Sequence, residues 1–345
     1  FCLLIMDSIT QIVLGAACGE TVLGKKIGNR ALLFGAIGGT IPDLDVFIGK
    51  IIYDSEIDSM AFHRGFMHSF LFAILAAFIF GFLIFRVYNR GKRLGMTTQK
   101  EWIWLFFASI FTHPILDSFT AYGTQLFAPF SNYRVAFNNI SVADPIYTLP
   151  FLISLIVVMF FKRTSTKRRL FLKIGLGVSS LYMMLTLVNK YYVNGIYKQA
   201  LVDKNIDYLR FQTQPTILNN FLWYGIAETE DAYFVGFYSI LDTKPIISRW
   251  HKLPKNHNLI DEKTKDLETL AWFSGGYYNL SETANSKTYL FKELRYPLMD
   301  EEDPNSTIFK FTISKTGDRW EAAPFYTPDV STGSLNSFWA RLKGI

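Results

Sequence analysis

Hydrophobic positions are concentrated in the first ~190 residues, whereas the rest of the chain alternates charged, aromatic and turn-forming side chains. Four long apolar runs approach the ~20 residues that cross a bilayer. They lie at residues 66–85, 102–119, 145–161 and 170–188. Two shorter glycine-rich runs precede them, at residues 8–23 and 31–41. The pattern predicts an α-helical multi-spanning membrane domain over residues 6–190, with about six segments, of which four are clearly long enough to span.

The two shorter runs carry small residues at a spacing of four, Gly15 with Gly19 and Gly35 with Gly39. Such pairs let two helix backbones approach closely in lipid, so we expect these segments to pack against each other. A loose soluble segment is the alternative reading of the same glycines.

The sequence pattern of residues 191–345 predicts an α+β soluble domain. Alternating patterns predict two antiparallel hairpins, and apolar periodicity predicts two helices. The hairpins are 221–229 with 232–241 and 307–314 with 320–326, and the helices are 261–273 and 334–342.

Composition supports a membrane protein, because half of the 345 residues are hydrophobic and 17% are aromatic. The net charge of +6 is explained by basic loops between the apolar runs, and no nucleic-acid module is present, so no nucleic-acid partner is expected. Cys2 and Cys18 form no disulfide framework. Met6 is the expected natural start, which would leave residues 1–5 outside the native protein.

The basic loops predict the orientation. They follow the first, third and fifth segments, and loops rich in Lys and Arg stay in the cytoplasm. With six segments, the carboxy-terminal domain is expected on the extracytoplasmic side of the cytoplasmic membrane.

Ionisable residues gather at the ends of the apolar runs on that same predicted outer face. Such residues are costly beside lipid, so their shared depth favours a functional site. Imidazole and carboxylate together suit zinc, with manganese or iron as alternatives, and six candidates allow a two-metal centre. The predicted metal ligands are His63, His68, His113, Asp117, Asp43 and Asp45.

Each element of this site also has an ordinary explanation. Pro42-Asp43 alone is a common helix stop, and a lone His113 is as readily a hydrogen-bonded packing residue. Arg64 alone is also explained as an anchor to lipid headgroups. Only the conjunction of three separate elements favours a metal site.

The catalytic candidates are Arg64, Asp45 and Asp144. A metal-activated water would attack an ester or phosphoester, with Asp45 or Asp117 taking its proton. Arg64 would bind a phosphate or stabilise negative charge, and Asp144 would assist. A site at the membrane surface favours a lipid or lipid-linked substrate in the bilayer.

The motifs together resemble the membrane-bound metal-dependent hydrolases, also described as LexA-binding, inner-membrane-associated hydrolases. The motif residues are Met6-Asp7-Ser8-Ile9-Thr10-Gln11 with Gly15, Ile41-Pro42-Asp43-Leu44-Asp45, His63-Arg64-Gly65-Phe66-Met67-His68-Ser69, and Thr112-His113-Pro114-Ile115-Leu116-Asp117 with Thr120 and Gly123. The resemblance covers residues 6–160 and implies a bacterial multi-spanning hydrolase of undefined substrate. Relatives commonly have His where this chain has Gln11, and Thr where it has Met67. The LexA contact follows from the family name alone.

A non-catalytic metal-binding or ion-transport protein is the alternative. An ion path would need polar residues that continue to the inner face, where Glu20 and Lys173 alone interrupt the apolar halves of the segments. A hydrolase is therefore the favoured interpretation.

Overall fold

The computed structural model describes residues 2–260, 262, 264–284, 288–316, 319–325 and 332–344. They form two compact units. The first comprises Phe1–Ile48 and Phe62–Leu187, and the second comprises Gly49–Ala61 and Val188–Ile345.

The amino-terminal part of the chain is helical. Its described helices, in chain order, are α1 (Cys2–Ile27), α2 (Asn29–Thr40), α3 (Asp45–Ile52), α4 (Glu56–Phe62), α5 (Phe70–Tyr88), α6 (Gln99–Ser118), α7 (Pro145–Met159) and α8 (Thr166–Asp203). Short 3₁₀ turns at Pro42–Leu44 and Phe66–His68 precede α3 and α5. The side chains of residues 1–7, and with them Asp7, lie outside the described part.

Helices α1 and α2 pack backbone to backbone through the predicted glycines. A Cβ atom on Gly15 would lie 2.4 Å from the carbonyl oxygen of Gly35, and one on Gly19 would lie 2.9 Å from the Cα atom of Gly35. No side chain fits at these distances, so the prediction of a packed helix pair is confirmed.

The number of membrane spans is smaller than the sequence pattern predicts. By length and composition, the described helices that can cross a membrane are α5 and α8, with α2 and α3 as a third span if their 46° bend lies within one crossing. The prediction of four clear spans and about six in all is therefore wrong by this measure.

Two features explain the difference. Helix α7 has 15 residues, which at ~1.5 Å per residue is about 22 Å, short of the ~30 Å hydrocarbon core. Helix α6 begins with Gln99, Lys100 and Glu101 and ends with polar site residues, which dilute its apolar stretch.

The second unit contains two four-stranded antiparallel sheets. Their strands are β1 (Arg210–Pro215), β2 (Leu222–Glu228), β3 (Ala232–Ser239) and β4 (Trp250–Pro254), then β5 (Tyr278–Glu282), β6 (Thr288–Glu293), β7 (Lys310–Thr316) and β8 (Arg319–Pro324). Helices α9 (Lys265–Phe273) and α10 (Thr332–Leu342) complete it.

Both predicted hairpins occur, as β2–β3 and β7–β8, so the prediction of a carboxy-terminal α+β domain is confirmed. Strands β2 and β3 are buried on both faces: Trp223 and Tyr224, which point to opposite faces of β2, are both fully buried. Residues 317 and 318 of the predicted turn, and Tyr326 at the end of the second hairpin, lie outside the described residues.

Replacing Gly35 by Ala is expected to destabilise the helical unit by about 1–3 kcal/mol, because the new methyl group would lie 2.2 Å from the Gly15 carbonyl oxygen. The thermal unfolding midpoint of the detergent-purified protein measures this. Gly177→Ala in α8 is the matched control, since a Cβ atom there meets nothing within 4 Å. Equal midpoints for the two variants would contradict the close α1–α2 contact.

Candidate metal centre

Three structural elements carry the candidate ligands to one place in the helical unit. The 3₁₀ turn after α2 carries Asp43, and Asp45 begins α3. His68 ends the second 3₁₀ turn, where Ser69 caps α5 by accepting a hydrogen bond from the Phe72 N–H. His113 and Asp117 lie one turn apart on α6.

His68, His113 and Asp43 form a compact triad. The two histidine Nε2 atoms are 3.1 Å apart, and Asp43 Oδ1 lies 3.5 Å from that of His68 and 3.4 Å from that of His113. A tetrahedral ion with bonds of ~2.0 Å separates its ligand atoms by about 3.3 Å. Both histidines are fully buried, whereas the Asp43 side chain is 25% exposed, so the triad has one open side.

The other nitrogen of each triad histidine faces a hydrogen-bond acceptor. His113 Nδ1 lies 2.6 Å from the carbonyl oxygen of Gly39, and His68 Nδ1 lies 3.0 Å from Asp45 Oδ2. A carbonyl or carboxylate oxygen only accepts, so each Nδ1 carries a proton, and in the neutral ring that binds a metal each Nε2 presents its lone pair. Metal-binding histidines are typically oriented in this way.

Asp117 completes the inner side of the triad. Its Oδ2 atom lies 3.3 Å from His68 Nε2 and 3.4 Å from His113 Nε2, the same spacing as Asp43. Its Oδ1 atom accepts a hydrogen bond of 2.7 Å from Gln11 Nε2. The structure thus places Gln11 as a donor to Asp117.

Asp45 links the triad to His63. Its Oδ1 atom lies 2.8 Å from His63 Nδ1, while its Oδ2 atom faces His68 and accepts the Arg64 N–H at 3.0 Å. Burial lowers the pKa of His63 below its usual value, although Asp45 opposes the shift. Because Asp45 contacts both His63 and His68, His63 is linked to the triad through the Asp45 carboxylate.

Arg64 is held in an unusual backbone conformation, with φ at +58°. The Asp45 carboxylate accepts its N–H, and its carbonyl accepts the Gln125 N–H at 3.0 Å. The guanidinium is buried, donates to Thr120 Oγ1 at 2.8 Å and lies 3.3 Å from Asp117 Oδ2. Non-glycine residues at positive φ are costly and often mark functional sites.

Asp144 has hydrogen-bond partners other than the triad residues. Its Oδ1 atom caps α7 by accepting the Ile146 and Tyr147 N–H groups, and its Oδ2 atom accepts the Tyr182 hydroxyl at 2.8 Å. Burial raises the pKa of Asp144, although these hydrogen bonds oppose it.

All six predicted ligands thus join one network of contacts of 3.5 Å or less. Within the described residues, the group whose ligand atoms lie within 4.8 Å of one another is Asp43, His68 and His113. The sequence pattern did not indicate two further residues, Tyr122 and Arg134. The Tyr122 ring lies 5.4 Å from the His63 ring, and the Arg134 guanidinium donates to the His63 carbonyl oxygen. The one available signal was that Arg134 is the sole basic residue of the loop at 120–144.

Comparison with known proteins assigns the chain to a protein family. The family described as YdjM inner membrane protein matches residues 6–193, more than half of the chain. The "Uncharacterized protein YfhP" of Bacillus subtilis (strain 168) is 23% identical over 282 residues, covering 78% of this chain and 79% of that protein. No solved structure matches. The matched residues include the whole histidine and aspartate network, and the chain belongs to the YdjM inner membrane protein family.

Proposed function

We propose that this protein is a metal-dependent hydrolase of the bacterial cytoplasmic membrane, with a divalent metal held by Asp43, His68 and His113. Zinc is the favoured ion, and manganese or iron are alternatives with the same ligand types. Asp117 Oδ2 lies 3.3 and 3.4 Å from the two histidine Nε2 atoms but outside the group whose ligand atoms all lie within 4.8 Å of one another, so we do not assign it as a ligand in this proposal.

The facing imidazoles carry this proposal. Two Nε2 lone pairs at 3.1 Å repel each other unless a proton or a cation lies between them, and two carboxylates flank the same point. A carboxylate close to two ring nitrogens favours a positive ion there. When bound, a divalent cation supplies a Lewis acid that lowers the pKa of a water molecule.

The surrounding residues hold the ligands in place. Gly39 and Asp45 fix the two ring orientations through the Nδ1 atoms, and Arg64 together with Gln11 fixes Asp117. Because both Asp45 oxygens are engaged and its side chain is 1% exposed, we assign Asp45 to positioning.

His63 is the proposed proton acceptor. Its Nδ1 atom faces Asp45, which leaves Nε2 as the acceptor nitrogen; its side chain is 14% exposed, and its ring centroid lies 5.6 Å from that of His68. A carboxylate that orients an imidazole in this way is the arrangement of a general base. In a two-metal centre, His63 would instead be a metal ligand, as the sequence pattern predicts.

A buried ion pair favours the enzyme over an ion path. Glu20, one of the few polar residues of the inner halves, is bonded by Arg168 at 2.7 and 2.6 Å. Arg168 also donates to Asn29 Oδ1 and to the carbonyl oxygens of Val158 and Phe161. A carboxylate whose charge is neutralised by a fixed guanidinium binds a passing cation weakly.

The substrate is proposed to be a lipid or lipid-linked ester or phosphoester, which reaches the site from the bilayer surface. The placement of the site and the carboxy-terminal domain on the extracytoplasmic side remains a prediction from the loop charges.

His68→Ala and His113→Ala are each expected to remove stoichiometric zinc, because each deletes one of three ligands. Asp45→Asn is expected to weaken zinc binding by about 10–100-fold, because it loosens His68. Metal analysis of the detergent-purified protein and competition with a chelator measure both effects.

His257→Ala is the control for histidine loss, since His257 bonds the Tyr278 carbonyl oxygen in the second unit. Zinc content that is unchanged in the His68 and His113 variants would overturn the metal site.

His63→Gln is expected to keep zinc but lower turnover by about 10²–10⁴-fold, the usual contribution of a general base. Hydrolysis of aryl phosphoesters and aryl esters by the zinc-loaded protein gives the rates, with zinc content measured on the same samples. Loss of zinc would instead make His63 a ligand, and unchanged turnover would remove it from the reaction.

A further inference from the structure

Two arginines converge on the ring of Tyr122 beside the candidate metal centre. The guanidinium carbon of Arg64 lies 4.9 Å from the ring centroid and that of Arg134 lies 5.2 Å from it. The His63 ring lies 5.4 Å from the same ring. Each guanidinium is therefore within the ~6 Å at which a cation is attracted to an aromatic ring.

The two arginines have different surroundings. Arg64 is 3% exposed and faces Asp117, so its charge is balanced within the protein. Arg134 is only half-buried and donates to the carbonyl oxygen of His63 at 2.9 Å. Arg134 is thus the guanidinium that lies closer to solvent at the edge of the site.

The loop after α6 is built to hold Arg134 there. Thr124 and Val135 pair as an antiparallel bridge, with N–H to carbonyl distances of 3.0 and 2.9 Å in the two directions. The next residue, Gln125, donates its N–H to the Arg64 carbonyl, so the loop is fixed to the site. Gly123, at φ +79°, would place a Cβ atom 3.0 Å from that of Arg134. The glycine therefore leaves space for the arginine.

Charge at the centre points to an anionic ligand once the metal is bound. The carboxylates of Asp43, Asp45 and Asp117 carry three negative charges and the guanidiniums of Arg64 and Arg134 carry two positive ones, so a divalent cation would leave one positive charge in excess. Without the cation, the same groups carry one negative charge in excess. Guanidinium groups recognise phosphate through paired N–H donors.

We propose that Arg134, held against Tyr122 and beside His63, binds a phosphoryl group of the substrate next to the metal triad. This inference rests on the proposed hydrolase function and narrows its substrate to phosphoesters. Arg64 then acts as a positioning residue, which contacts Asp117 and the Tyr122 ring. The phosphoryl group belongs either to a phospholipid headgroup or to a soluble phosphate ester, since both present the same oxygens.

The test is the binding of inorganic phosphate and of dioctanoyl phosphatidic acid to the full chain in detergent, by calorimetry, in zinc-loaded and metal-free forms. Arg134→Gln is expected to weaken binding of both probes about tenfold to a hundredfold with zinc content unchanged. Arg134→Lys is expected to recover part of the affinity, because it restores the charge without the paired donors.

Arg93→Gln is the matched control, since Arg93 lies 4.5 Å from the ring of Tyr88 and forms the same kind of pair outside the site. Tighter binding of the lipid than of inorganic phosphate would identify a headgroup as the source, and equal binding would identify a soluble ester; either supports the assignment of Arg134.

Three outcomes overturn the inference: neither probe binds the wild-type protein, Arg134→Gln binds them as tightly as wild type, or Arg134→Gln loses zinc together with phosphate. The last would make Arg134 a structural support for His63. If the wild-type protein binds no zinc, the hydrolase proposal fails. The metal-free form is expected to bind both probes more weakly, because it lacks the positive charge of the ion; if Arg134→Gln abolishes the binding that remains, Arg134 is still assigned to phosphate, and if it does not, the inference fails.

Discussion

The candidate centre depends on one constraint, the placement of two imidazole Nε2 atoms 3.1 Å apart with their lone pairs facing. The constraint arises because each Nδ1 atom is committed to an oxygen acceptor, Gly39 on one side and Asp45 on the other. The His113 ring cannot turn without losing a buried hydrogen bond, which costs ~1–3 kcal/mol, and the His68 ring cannot turn without losing its 3.0 Å contact with Asp45. A cation relieves the repulsion without disturbing either bond.

The helical frame serves this arrangement. Gly39 can offer its carbonyl oxygen to His113 because α1 and α2 meet at glycines, and a Cβ atom on Gly39 itself would lie 2.5 Å from the Gln11 carbonyl. The same close contact lets Gln11 reach Asp117 across from α1. Helix packing and ligand orientation are thus one feature, so a larger residue between α1 and α2 disturbs both.

The sequence indicates much of this site because its ligands share chemistry and position. His68, His113 and Asp43 all lie within or just beyond the ends of apolar runs, a local property of the chain. The spans are overcounted for a related reason: hydropathy registers the apolar stretches of α6 and α7 but not the polar ends of α6, the short length of α7 or the bend between α2 and α3. Arg134 and Tyr122 escape prediction because a loop conformation brings them to His63, from 71 positions away in the case of Arg134, and no periodicity encodes that contact.

X-ray absorption at the zinc edge tests the central claim most directly, because it reports the atoms around a bound ion in the intact protein. For the zinc-loaded wild type we expect nitrogen and oxygen ligands at about 2.0 Å, with the scattering of two imidazoles, and for His113→Ala, which is expected to lose its zinc, the loss of this signal. A sulfur shell at about 2.3 Å, or an imidazole signal unchanged by the His113 substitution, would contradict the triad.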